Sequence, residues 1–181
     1  MSTPVFASDR VLPLIVQQHF DDVDVQRSMR SVLVRAAHIR LHRLQRLDER
    51  IAANLDGLAI SGQSGRALCV AALDRPTTGV MFAATIQAIE HRDPGLLDKL
   101  LCLCEADASL CPGLVSAFGW QSREALRGIV RALFESPVGF RRNVALAACV
   151  AQRVDPGQVL AEALRDAQTE GFAVVAAGRL G

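Results

Sequence analysis

The chain has 181 residues, with 20 Lys+Arg against 19 Asp+Glu, half of them hydrophobic and only 4% aromatic. That length suits one domain or a small domain with an extension, and a 22% charge content beside 50% apolar residues excludes a disordered polymer. The near-neutral balance argues against nucleic acid as the main partner, and no apolar run reaches the length of a membrane-spanning helix.

From the start of the chain, Val11, Leu12, Leu14, Ile15 and Val16 predict a short helix ending near Phe20, with Pro13 in its first turn, where a missing N–H costs little. Asp21, Asp22 and Asp24 then supply an N-terminal signal for a second helix, whose apolar positions Val25, Met29, Val32, Leu33 and Ala36 follow the 3.6-residue period. Leu41, Leu44, Leu47, Ile51, Leu55 and Leu58 form the clearest amphipathic pattern of the chain, to be ended by Gly57 or Gly62. Between Gln26 and Arg50 lie seven arginines and only two acids, Asp48 and Glu49. Such a stripe is a solvated helix face, or a surface for an acidic partner or phosphate. The lack of aromatic residues weakens the single-strand version of the latter.

His38 and His42 are four apart, a spacing that puts both on one face of a helix. The neighbouring Arg40, Arg43 and Arg46 disfavour a metal ion there. The segment Ser61-Gly62-Gln63-Ser64-Gly65 has neither the Gly-Lys-Ser/Thr ending of a phosphate loop nor the spacing of a nucleophile elbow, so it reads as a turn between helices. Five cysteines, Cys69, Cys102, Cys104, Cys111 and Cys149, contain no CxxC pair and lie among Ala, Leu and Val. They fit packing as reduced thiols, which implies a cytoplasmic setting, rather than a disulfide framework or a zinc module. No motif calls for a cofactor or a resident metal.

Beyond residue 62 the turns recur. Asp93-Pro94-Gly95 and Asp155-Pro156-Gly157 each precede an apolar run, and Ser122 does so between them, with starts 29 and 33 residues apart. In each, Asp or Ser can cap a helix. Small-residue runs beginning at Ser116, Leu146 and Val175 are offset by 30 and 29 residues. A two-helix unit of this period is the mark of an α-solenoid. The expected fold is therefore all-α, with an N-terminal helical region over 1–62 and HEAT-like antiparallel helix pairs over 63–181. The pairs are 77–91 with 94–106, 108–120 with 122–135, and 138–152 with 156–166. A last helix over 168–180 has no partner, which implies an incomplete array or a face that docks onto another chain, including a second copy.

The run Glu135-Ser-Pro-Val-Gly-Phe-Arg-Arg-Asn-Val-Ala-Leu-Ala-Ala-Cys149 resembles a short HEAT-type repeat helix, and Thr169 to Gly181 resembles the next. Upstream, Ile15-Val-Gln-Gln-His-Phe-Asp-Asp22 followed by Arg46-Leu-Asp-Glu-Arg-Ile-Ala-Ala-Asn-Leu-Asp-Gly-Leu58 is similar to the N-terminal signature of an uncharacterised bacterial family of HEAT-like proteins. Its members are often encoded beside type VI secretion systems and tend to be considerably longer. The resemblance implies an accessory, adaptor or chaperone protein that binds a secretion effector or spike component, with no catalytic residue to carry over.

On this reading the chain is a non-enzymatic scaffold, and Gln87, Glu90, Arg141 and Arg142 are the candidate partner-binding residues on the repeat helices. The alternatives are a HEAT-repeat enzyme or a DNA-binding HEAT-like module. Hydroxylases of that architecture hold iron with repeated His-Glu pairs, whereas here Glu90-His91 is reversed and unrepeated. A DNA module needs a basic concave face, whereas residues 63–181 carry 12 basic and 12 acidic side chains. A membrane-surface role for helix 41–58 is opposed by Asp48, Glu49 and Asp56.

Overall fold

The computed structural model describes residues 12–166, and every regular element among them is helical. The chain divides into two compact units between Arg75 and Pro76. None of the described helices is long and apolar enough to cross a membrane.

The first unit holds α1 (Pro13–Leu33), α2 (Leu41–Ile60) and α3 (Gln63–Ala71), followed by a 3-10 turn at Ala72–Asp74. The two short helices expected before Ala36 are one helix. Val16, Phe20, Val23 and Arg27 recur every three or four residues, and all four are buried. This face runs straight through the aspartates that were expected to start a new helix. Asp21 is exposed and accepts a hydrogen bond from Gln17 Nε2 at 2.8 Å, one turn back, so continuity costs it nothing. Continuous burial of one face outweighs a local N-terminal signal.

Helix α2 matches expectation and buries Leu47, Ile51, Leu55 and Leu58. Gly57 does not end it. A Cβ there would collide with the His19 ring of α1, so this glycine serves close packing of the two helices. Beside it His19 Nδ1 meets Asn54 Oδ1 at 2.9 Å. The stop comes at Gly62, whose φ of 54° few other residues adopt. Helix α3 packs on α1 and α2, so the first compact unit extends past residue 62 to Arg75.

The second unit begins with α4 (Thr78–Glu90), α5 (Pro94–Ala106) and, after a 3-10 turn at Ala108–Leu110, α6 (Cys111–Trp120). It continues with α7 (Arg123–Leu126), α8 (Ile129–Phe134), α9 (Gly139–Gln152) and α10 (Gln158–Ala163). Three side-chain caps fix helix starts: Thr77 Oγ1 accepts from Val80 N at 3.0 Å, Asp93 Oδ1 from Leu96 N at 3.0 Å, and Ser122 Oγ from Ala125 N at 3.1 Å. Asp155 breaks the pattern. Its carboxylate accepts from Gly157 N at 2.8 Å, a turn that delays α10 to Gln158.

Helix α4 is the axis of this unit and is buried on all sides from Gly79 to Ile89. It packs against α5 and α6, α6 packs against α9, and α9 against α8. Gly113 of α6 lies against the Thr78 backbone and Met81, with no room for a Cβ. At the far end of α6 the Trp120 ring stands edge-on to Phe82 with centroids 5.6 Å apart. The helix expected over 168–180, and with it the proposed docking face, lies outside the described residues.

Candidate functional site

The single helix expected over 122–135 is broken in two, and the break borders a concavity of the second unit. Gly128 has φ 83°, which turns the chain between α7 and α8 and frees the carbonyls at the end of α7. Arg92, from the α4–α5 turn, bonds there: Nη1 donates to Arg127 O at 2.8 Å and Nη2 to Glu124 O at 3.0 Å, the latter also accepting from Arg127 N at 3.2 Å. Arg92 itself sits at φ 51°, which aims its side chain across the gap at a backbone cost.

The resulting groove, of about 590 Å³, runs between α5 and the α7–α8 break. Leu97, Leu101, Ile129 and Leu133 supply apolar walls, while Arg92, Arg127 and Arg141 stand around them with Asp93, Asp98 and Ser136. An apolar trough of this size with a few placed polar groups is the usual form of a binding site.

Its electrostatics are largely committed. Arg141 Nη1 meets Asp98 Oδ1 at 2.7 Å and its Nε meets Glu105 at 3.4 Å, tying α9 to α5. Partial burial lowers the Arg141 pKa, but the hydrogen bond and charge of Asp98, with Glu105 behind it, outweigh this and hold it above the ordinary guanidinium value. Arg127 is exposed at the groove, and no ion pair engages it among the described residues.

The four residues expected to bind a partner do not converge. Gln87 is fully buried in α4, so it presents nothing to a partner. Among the described residues its amide oxygen and nitrogen also have no hydrogen-bond partner. The reason is that α4 is apolar around its whole circumference, so no side of it is left for solvent. Glu90 is exposed and accepts from Gln121 Nε2 at 3.0 Å. Arg142 donates to Ser136 O at 2.9 Å and to Asp166 Oδ2 at 2.6 Å, bracing α9 against the turn before it and the end of the described chain. Only Arg141 lines the groove. Arg92, Arg127 and Ile129 escaped the sequence reading, and the signal that pointed to them was Gly128 inside an otherwise helical pattern.

His38 precedes α2, in the connection after α1, while His42 lies in the first turn of α2, so helical spacing does not relate them. Among the described residues no group of three His, Cys, Asp or Glu side chains is placed to hold a metal ion. Burial pushes the Cys69 thiol up to about 12. Burial and then the neighbouring Cys111 do the same for Cys104, again to about 12. Burial, with Asp155 adding to it, also raises Cys149. Such thiols stay protonated and are poor nucleophiles near neutral pH.

Compared with known proteins, the chain matches no described protein family, no curated protein and no solved structure.

Proposed function

We propose that this chain is a non-enzymatic, cytoplasmic scaffold that holds a peptide segment of a protein partner in the groove between α5 and the α7–α8 break. The observation that carries the reading is that groove, apolar along its walls and edged by arginines, of which Arg92 and Arg141 are fixed by bonds to backbone and carboxylates. A prearranged trough lowers the ordering cost of binding an extended or helical segment.

The stacked-hairpin reading draws support from the polar ties within the second unit. Gln121 bonds Glu90, 31 residues away, Arg123 bonds the Gln152 carbonyl 29 away, and Arg92 bonds the Glu124 carbonyl 32 away. Contacts at a constant offset near the sequence period are what neighbouring repeats in a HEAT-like solenoid would make. The resemblance of the N-terminal signature adds the partner class: an effector or spike component of a type VI secretion system, with this chain as its adaptor or chaperone.

Ala132 lines the groove and is exposed, so Ala132→Arg fills the trough without touching the core. A pull-down from the native host, with products of neighbouring genes as candidates, should retain a secretion component on the wild-type chain and lose it on Ala132→Arg. Equal retention by both would remove the groove from the proposal. A nucleic acid or small-molecule product in place of a protein would remove the scaffold reading itself.

A further inference from the structure

The first unit carries a second, independent surface. Helix α1 hides Val16, Phe20, Val23 and Arg27, yet it also bears the stripe Val25, Met29 and Val32, which is 58%, 48% and 69% exposed. Residues at i, i+4 and i+7 fall on one side of a helix, so α1 has two apolar faces and covers one of them. Beside this stripe a groove of about 680 Å³ separates the C-terminal half of α1 from the N-terminal half of α2. Met29, Leu33, Leu47 and Ala53 form its apolar part.

The arginines of this groove are arranged differently from those of the second unit. Arg43, Arg46 and Arg50 line it at helical spacing of three and four, are exposed, and pair with no carboxylate among the described residues. Two acids lie nearby. Asp48 is taken by Arg30, whose Nε and Nη2 grip both carboxylate oxygens, the second at 3.1 Å. Glu49 accepts from Gln45 Nε2 at 3.2 Å and is the only acid in the groove lining. Arg35 and Arg40, on the exposed connection between α1 and α2, extend the positive field.

We infer that the α1–α2 groove docks an acidic amphipathic helix of a partner protein, leucine-like side chains entering between Met29 and Leu47 and carboxylates meeting Arg43, Arg46 and Arg50. The spacing decides the shape of the ligand. From Arg43 to Arg50 the row spans about 10 Å of helix, two turns, so carboxylates at i, i+3 or i+4, and i+7 of a partner helix match it. A phosphate backbone would leave the apolar part of the groove unfilled, and no aromatic side chain lines it for base stacking. A second copy paired about a two-fold axis would set these arginines against their own counterparts. This surface acts in the first unit alone and stands whether or not the second-unit groove binds peptide.

The probe is a synthetic five-turn peptide with Leu at helical core spacing and Glu flanking it, titrated by fluorescence anisotropy against the full chain. A Lys-for-Glu peptide, phosphatidylserine vesicles and a short DNA duplex form the comparison arms. The Glu peptide should bind, more weakly as salt rises, and better than any other arm. Arg43→Glu with Arg46→Glu should weaken it by roughly tenfold or more and should transfer binding to the Lys peptide. Met29→Glu, at an exposed position, should weaken the Glu peptide. Circular dichroism checks that the variants stay helical, and gain of the Lys peptide is a readout that an unfolded variant does not give. The inference is overturned if the Glu peptide fails to bind, if charge reversal leaves its affinity unchanged, or if vesicles or duplex bind in preference to it.

Discussion

Replacing Gln87 by Met should stabilise the second unit, although Gln87 is among its most deeply buried residues. Both amide atoms of Gln87 are enclosed without a hydrogen-bond partner among the described residues, and the residue is 0% exposed. Burying an unpaired amide costs about 1–3 kcal/mol on mutational scales, because bonds to water are lost and nothing replaces them. Met has nearly the same length and flexibility, so the repacking cost of a volume-conserving exchange, below about 1.5 kcal/mol, is smaller than the penalty it removes. The net expectation is a gain of roughly 1 kcal/mol, seen as an upward shift of about 0.5 M in the urea midpoint. Trp120 is the only tryptophan in the chain and lies edge-on to Phe82 of the same helix α4, so its fluorescence reports this unit. Gln87→Glu serves as the opposite perturbation, since it places a carboxyl in the same apolar surroundings and should lower the midpoint. A Gln87→Met variant that unfolds at lower urea than wild type would mean that the amide is bonded in solution, and the argument from unpaired burial would fail.

Arg92→Ala removes both bonds to the α7–α8 break and should cost about 1–2 kcal/mol, whereas Arg92→Gly should recover part of that by relieving the φ of 51°; equal midpoints for the two would contradict the strain. Arg141→Glu sets a carboxylate beside Asp98 and Glu105 and should lower the second unit's urea midpoint, an outcome opposite to that of a merely solvated surface charge. Gly113→Ala forces a methyl into the Thr78 backbone and should cost at least about 1–3 kcal/mol, and an unchanged melting temperature would refute that close approach. The Cys69 thiol holds its proton to about pH 12 when folded against 9.0 for a free thiol, so the unfolded chain ionises first as pH rises. Stability should be level below pH 9, fall between 9 and 12, and fall less steeply in Cys69→Ala; a flat wild-type profile across that range would show the thiol to be less enclosed.

What the sequence exposes and what it hides follow from the range of the forces involved. Helices α2, α4, α5 and α9 begin and end within two residues of expectation because their signals are local: an apolar period, Asp93 with Pro94, and a glycine with positive φ at 62. Helices α6 and α9 approach closely at Gly119, where a Cβ would lie 3.1 Å from that of Ala151, a residue just outside the matched small-residue run. Apart from the local turns at Asp155 and Gly128, the errors are tertiary. Asp21, Asp22 and Asp24 would start a helix in isolation, but a buried stripe on either side of them carries α1 through. Gly57 looks like a terminator and is a packing contact. Arg141 and Arg142 look like free surface charge, yet their partners Asp98, Glu105 and Asp166 come from segments that sequence proximity does not connect.

The interruption at Gly128 shows how one break in a helix opens a groove. A straight helix over 122–135 would satisfy its own carbonyls and leave Arg92 nothing to bind at that point. Once the chain turns there, Arg92 reaches the Arg127 carbonyl and adds a second bond to the Glu124 carbonyl, which already accepts from Arg127 N, and the same residue lines the groove opened beside Ile129 and Leu133. Irregularity and concavity therefore arise together around one glycine. In the first unit the device is electrostatic instead. Arg30 grips Asp48 and Gln45 donates to Glu49, and among the described residues neither acid pairs with Arg43, Arg46 or Arg50. Reversing Asp48 to Lys should therefore change two things in opposite senses. It should destabilise the α1–α2 pair by losing the Arg30 contact, and it should strengthen the acidic peptide's salt-dependent binding, a combination that a purely structural arginine stripe would not produce.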